Sequence, residues 1–220
     1  AIKDNQKIFN IMPHAYWGSD YIENDIEKAI KESKLKYSKS KNISKLIAIE
    51  LAKGKIIGWM QGRSEIGARA LGARSILANP MIKNMRDKLN LEVKHREHWR
   101  PFCPSMTDYG FEKYFGHNKP ADHMIIAYSI LDKYRDLIPS AVHVDGSVRA
   151  QTVKKSTNPK FYDLLKKFGK LTGHPILINT SFNIQGEPIV ETPRDALRCF
   201  GGTGIDILVI GNFIIKKKYV

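Results

Sequence analysis

The segment Ser44-Lys45-Leu46-Ile47-Ala48-Ile49-Glu50-Leu51-Ala52-Lys53-Gly54-Lys55-Ile56-Ile57-Gly58-Trp59-Met60 joins two kinds of periodicity. Leu46, Ile47, Ile49 and Leu51 recur as on an amphipathic helix, and after Gly54 residues 55–60 form a short apolar run of strand character. A strand that follows a helix this closely is the habit of α/β chains.

The alternation continues outward. Towards the C-terminus the patterning predicts helices over 84–91, 112–114, 160–172 and 195–201. Strands are predicted at 124–129, buried, and at 176–179, running into a loop; residues 207–215 read as a closing strand or hairpin. Towards the N-terminus a short strand is expected at 8–12, a loop at 13–18, and a helix capped by Ser19 or Asp20 that runs through Lys31 with Ile22, Ile26, Ala29 and Ile30 on one face. Residues 34–42, rich in Lys and Ser, read as a solvated connection, which places a domain boundary between 1–43 and 44–220.

With 220 residues, 42% of them apolar, the chain can bury a core of its own. A net charge of +14 favours nucleic acid, acidic membranes or small anions as partners, and does not choose among them. The distribution says more: 26 Lys are scattered, whereas six of the ten Arg fall between Arg63 and Arg100. Arginine forks suit phosphate and carboxylate oxygens, so this clustering points to anion recognition. Cys103 and Cys199 give neither a disulfide framework nor metal-ligand spacing, and no signal peptide or membrane-spanning run is present. A cytoplasmic setting is expected, and the opening at Ala1 without Met suggests a piece of a longer protein.

Four segments carry side chains suited to chemistry. In residues 62–75, Arg63, Arg69 and Arg74 alternate with Gly62, Gly67 and Gly72, either as an anion-binding wall or as a solvated loop; no Gly-Lys-Ser/Thr ending makes it a Walker A loop. Lys94-His95-Arg96-Glu97-His98-Trp99-Arg100 sets cations beside aromatics; His95 and His98 lack a third partner for zinc, so no metal site is expected. If residues 143–151 are extended, His143, Asp145, Ser147, Arg149 and Gln151 share a face, which either lines a site or meets solvent. Asn179-Thr180-Ser181-Phe182-Asn183 ends an apolar strand, as an adenylate cradle or a self-satisfied turn; a serine nucleophile is not expected, since the Gly-x-Ser-x-Gly elbow is missing.

In this order the segments resemble the C-terminal portion of the carbamoyltransferase family that includes nodulation protein U and the antibiotic O-carbamoyltransferases. The resemblance rests on residues 58–63, Arg69-Ala70-Leu71-Gly72 with Arg74-Ser75-Ile76-Leu77, Lys94-His95-Arg96-Glu97 with Arg100-Pro101-Phe102, Val144-Asp145-Gly146 with Arg149 and Gln151, and Asn179 to Asn183 with Gly186-Glu187-Pro188-Ile189-Val190, and covers about residues 45 to 215. The family pattern has Pro, Asn and Asp where Ala68, Ala73 and Asn79 stand, which leaves the cations intact. Residues 8–32 resemble the end of the preceding, Kae1-like domain of that family.

The resemblance implies a YrdC-like fold, an open twisted mixed sheet with flanking helices around a basic cavity. It implies formation of carbamoyl-adenylate from carbamoyl phosphate and ATP, with carbamate as intermediate, and transfer to an acceptor hydroxyl by the Kae1-like N-terminal domain. On that reading Lys94 and Arg149 meet the carbamoyl and α-phosphate oxygens. Arg69, Arg96 and Arg100 meet the phosphates or form structural pairs beside them, Asn179, Ser181 and Asn183 meet the adenylate, while Arg63, Arg74, His143, Asp145 and Thr180 line the pocket. ATP arrives with Mg2+, and no tightly bound cofactor is expected. The rival reading is a basic nucleic-acid-binding module of the same fold, which no base-stacking motif supports.

Overall fold

The structure, a computed structural model, describes residues 12–117, 119 and 121–217. Of the N-terminal strand expected at 8–12, only Met12 lies among the described residues, and it has no regular structure.

An eight-stranded sheet organises the chain in the order β1-β10-β9-β2-β3-β8-β4-β7. The strands are β1 (Tyr37–Lys39), β2 (Ile57–Met60), β3 (Arg74–Ala78), β4 (Cys103–Thr107), β7 (Gln151–Val153), β8 (Ile176–Ser181), β9 (Ile207–Ile210) and β10 (Phe213–Lys216). Pairs β2/β9 and β4/β7 are parallel and the others antiparallel. A separate two-stranded ribbon joins β5 (Tyr128–Ser129) to β6 (Ser147–Val148).

Strand alternation sorts the side chains onto two faces. Ile57, Trp59, Leu77, Leu177, Ile207 and Val209 pack under α2 (Ile43–Ala52) and α5 (Pro159–Thr172). On the other face Ile76, Ala78, Ile178, Leu208 and Ile210 meet α1 (Glu23–Glu32), α6 (Pro193–Gly201) and the apolar side of residues 85–93, which include α3 (Met85–Lys88). A smaller core lies under α4 (Asp108–Phe115). Each fully buried Leu, Ile or Phe contributes roughly 1.5–3 kcal/mol to this arrangement.

The ends of α5 and α6 are set by local chemistry. Asn158 accepts a hydrogen bond from Phe161 N, Pro159 opens α5, and Gly173 closes it at φ +80°. Thr192 and Asp195 form a reciprocal capping box at α6.

Several expectations are corrected. Tyr37–Lys39, inside the presumed solvated connection, pairs with β10, so α1 and β1 belong to the same sheet assembly as the rest. Helix α1 begins after Ile22, since Ser19 and Asp20 are engaged elsewhere: the Ser19 carbonyl accepts from Arg74, and Asp20 accepts from Tyr21 N. Only Tyr128 and Ser129 of the strand expected at 124–129 are extended in a ladder, and Ile125 and Ile126 are exposed. Residues 143–151 do not form one continuous strand: a turn through Gly146 precedes β6, and β7 belongs to the other sheet.

Candidate functional site

Lys94 is delivered by a break in helical regularity. After α3 the chain widens into a π-helical turn, Leu89–Lys94, and His95 stops it in the left-handed region at φ +49°. The turn keeps Leu89 and Val93 in the core and carries Lys94, 3% exposed, to the end of β8. There Nζ donates to the Ser181 carbonyl (2.5 Å) and Oγ (3.1 Å) and to the Asn183 carbonyl (3.0 Å) and Oδ1 (2.6 Å). Ser181 Oγ also donates to Asn183 Oδ1 at 2.7 Å, and Asn183 Nδ2 donates to the Glu187 carbonyl. No carboxylate pairs with Lys94 among the described residues; burial first, and neighbouring Arg96 second, pull its pKa down to about 7.

Arg96 lies alongside, its Nε donating to Asn90 Oδ1 at 2.7 Å and its guanidinium 4.7 Å from the Phe102 ring centre. Asn90, buried, also donates to the carbonyls of His98 and Arg100, and so pins the whole cationic loop. Sequence reading missed Asn90, which lies inside a helical pattern and has no signal of its own. Arg100 is exposed and 3.5 Å from Glu97.

A second polar group occupies the adjoining strands. Asn179 Nδ2 donates to Ser105 Oγ and Gln151 Oε1, both at 2.9 Å, and Gln151 Nε2 donates to the Leu71 carbonyl. Register puts Asn179 opposite Cys103 and Leu77, while Thr180 pairs with Ile76 on the other face. Asn179 Oδ1 is buried without a partner. Arg149, half-buried, reaches this group through Nε to Cys103 Sγ at 3.2 Å.

The arginine run does two different jobs. Arg74 is 1% exposed and structural, donating to the carbonyls of Gly62, Ala73 and Ser19. Glu65 clamps the loop, its carboxylate accepting from the backbone N–H groups of Leu71 (2.6 Å), Ala73 (2.8 Å) and Arg74 (3.1 Å). Arg69 is half-exposed and has no hydrogen bond or ion pair among the described residues, and Arg63 donates to the Trp17 carbonyl. His143 and Asp145 instead satisfy their own turn, through Ser147 Oγ and Ser147 N. Hydrogen bonds thus join Lys94 with Ser181 and Asn183, and Asn179 with Ser105 and Gln151; they do not draw in Arg63, Arg69, His143 or Asp145.

A cleft of about 530 Å³ opens at the start of α5, lined among others by Trp17, Gln61, Arg63, Asn158, Pro159 and Lys160. Among the described residues no group of three or more His, Cys, Asp or Glu is placed to hold a metal ion, and no helix is long and apolar enough to cross a membrane.

Residues 48–217 match the family described as Carbamoyltransferase C-terminus. An uncharacterised protein of Methanocaldococcus jannaschii is 42% identical over 208 residues, 92% of this chain and 34% of its own length. Nodulation protein NolO of Bradyrhizobium diazoefficiens is 38% identical over 94% of this chain and 39% of its own length. Nodulation protein U of Rhizobium tropici is 41% identical over 79% of this chain and 30% of its own length. The chain therefore spans about a third of these relatives. Among solved structures, full-length HypF in a phosphate- and nucleotide-bound form shares the fold, with a TM-score of 0.56 at 17% identity over 78% of this chain and 25% of HypF. HypF of T. kodakarensis gives 0.51 at 14% identity over 81% of this chain and 21% of its own. The open mixed sheet with flanking helices is the YrdC-like architecture that the sequence implied, and the chain belongs to the carbamoyltransferase C-terminus family.

Proposed function

We propose that this chain makes carbamoyl-adenylate from carbamoyl phosphate and ATP, for transfer to an acceptor hydroxyl by the Kae1-like domain of the longer protein. The observation that carries the reading is Lys94: a buried cation held by oxygen acceptors alone, with Arg96 beside it and, among the described residues, no carboxylate within salt-bridge distance of either. A pair of this kind is built for an anion that comes from outside.

The reaction balances in two steps. Water attacks carbamoyl phosphate, the bond between the carbamoyl carbon and the phosphate oxygen breaks, and carbamate and inorganic phosphate result. A carbamate oxygen then bonds to the α-phosphorus of ATP while the α–β bridging bond breaks and pyrophosphate leaves. Both steps crowd negative charge, so positioning and fixed cations supply the catalysis, with no protein nucleophile. Lys94 and Arg149 take the carbamoyl and α-phosphate oxygens; Arg69, Arg96 and Arg100 take the polyphosphate, with the Mg2+ that ATP itself brings. Asn179, Ser181 and Asn183 hold the adenylate, and the compartment expected for such substrates is the cytoplasm. Support comes from family membership and from the fold shared with a structure described as phosphate- and nucleotide-bound.

The test is pyrophosphate release that depends on carbamoyl phosphate, comparing Lys94→Ala and Arg149→Ala with the exposed control Lys166→Ala. Losses of about a hundredfold are expected for the first two. No release from the unaltered chain, or rates equal across the three variants, would overturn the reading.

A further inference from the structure

The cleft at the start of α5 is not used by the chemistry above. We propose that it is a seat for a nucleoside monophosphate, separate from the Lys94 cluster.

One wall is aromatic. Trp17 is 49% exposed although its indole is fixed: Nε1 donates to the His14 carbonyl at 2.9 Å, and the His14 ring lies 4.7 Å away, centre to centre, with the planes 31° apart. A positioned, half-exposed indole on the wall of a cleft is a stacking platform, and a nucleobase is a planar π-system that needs little more.

The opposite requirement, a place for charge, is met by Arg63 and Lys160. Each has one hydrogen bond: Arg63 Nη2 to the Trp17 carbonyl at 2.9 Å, and Lys160 Nζ to Gln61 Oε1 at 3.1 Å. Neither has an acidic partner among the described residues. Guanidinium carries five N–H groups and ammonium three, so most of their donors stay available. These single bonds aim both side chains without neutralising them. Gly62, at φ +55° between Gln61 and Arg63, keeps this part of the rim clear, with no atom within 4 Å of the place a Cβ would take.

Charge and size select the ligand class. Two cations match a phosphate dianion, whereas a triphosphate would bring a surplus of negative charge. A volume of about 530 Å³ falls within the range of small-molecule sites and accommodates a base, a ribose and one phosphate. Of the residues assigned to adenylation only Arg63 lines this cleft; Lys94, Ser181 and Asn183 do not.

Titration of the full chain with AMP tests the proposal, read by calorimetry and by tryptophan emission. The expected result is binding that quenches Trp17, weakened about tenfold or more in Trp17→Leu and in the double variant Arg63→Ala/Lys160→Ala, and unchanged in the exposed control Lys166→Ala. Adenosine should bind more weakly than AMP and should not respond to the double variant. Melting temperatures confirm that the variants fold; should Trp17→Leu fail to fold, the single variant Lys160→Glu decides in its place. Two results would each overturn the seat: AMP does not bind, or the cleft variants leave its affinity unaltered. The second assigns the nucleotide to the adenylation cluster, so the seat can fail while the proposed reaction stands.

Discussion

Lys94 has four oxygen acceptors within hydrogen-bond distance and no carboxylate. Burial lowers its pKa from 10.5 to about 7 in the native chain. Between these values the unfolded chain holds more protons than the folded one, so this residue makes stability rise with pH through that window; below about pH 7 the penalty of the buried charge is present in full. Relative to Lys94→Met, which cannot titrate here, the unaltered chain should therefore gain up to about 1.4 kcal/mol per pH unit above neutrality. Urea unfolding of both chains across this range measures it, and a pH-independent difference would contradict the assigned shift. Anion binding runs the other way. A bound anion favours the ammonium and draws in a proton, so affinity for sulfate, which does not titrate here, should fall by up to about tenfold per pH unit above 7. Calorimetry should find that dependence flattened in Lys94→Met. Lys94 stood out in the sequence for its run of cations beside aromatics, and Ser181 and Asn183 as polar residues ending an apolar strand; that these three join in one hydrogen-bonded group was not legible. Asn90 and Glu65 were not legible either, since each is a single polar residue with no motif around it and acts through groups that only folding brings near: the His98 and Arg100 carbonyls and Arg96 Nε for Asn90, and backbone N–H groups for Glu65.

At the scale of elements, the loop from Glu65 to Arg74 holds its shape by one internal anion. Three backbone N–H groups converge on the Glu65 carboxylate, and Gly72 sits at φ +104° with the Phe161 ring 2.2 Å from where a Cβ would stand. Glu65→Ala should cost about 2–3 kcal/mol, and Glu65→Gln, which keeps an acceptor oxygen, about 1 kcal/mol. Equal losses in urea unfolding would mean that the carboxylate is not the organising group. The same elements explain what the sequence could convey. Helices α5 and α6 carry clean 3.6-residue patterns and recognisable caps, β8 and the β9–β10 hairpin are apolar runs between breaks, and all four were found. Strands β1, β3 and β4 escaped notice: Tyr37–Lys39 is polar because it lies at a sheet edge, Arg74 begins a strand otherwise read as loop, and Pro104 argues against a central strand. Their places are fixed by neighbours distant in sequence, which local periodicity does not encode.

For the molecule as a whole, the charge of +14 leaves a choice between a general polyanion surface and a site built for one small anion. The arrangement of the charges distinguishes them. Some lysines sit in surface ion pairs, such as Lys39 with Glu23 and Glu27, Lys154 with Asp122 and Lys216 with Glu50. Lys94, Arg63 and Lys160 instead have no acidic partner among the described residues and are held by oxygens of the chain. Surface charges give a diffuse field that counter-ions screen within about 10 Å at 0.1 M salt, whereas a buried cation such as Lys94 keeps its pull. Duplex DNA should accordingly bind only in the non-specific range, with a dissociation constant of about 10⁻⁴ to 10⁻⁶ M that weakens steeply with salt. Lys94→Ala should leave that affinity unaltered, because a lysine 3% exposed adds little to the surface field that a duplex meets. Filter binding at two salt concentrations, with ATP as competitor, reads all of this at once. DNA binding that resists salt, is displaced by ATP at stoichiometric levels and disappears in Lys94→Ala would mean that nucleic acid, not a small anion, is what the buried lysine serves.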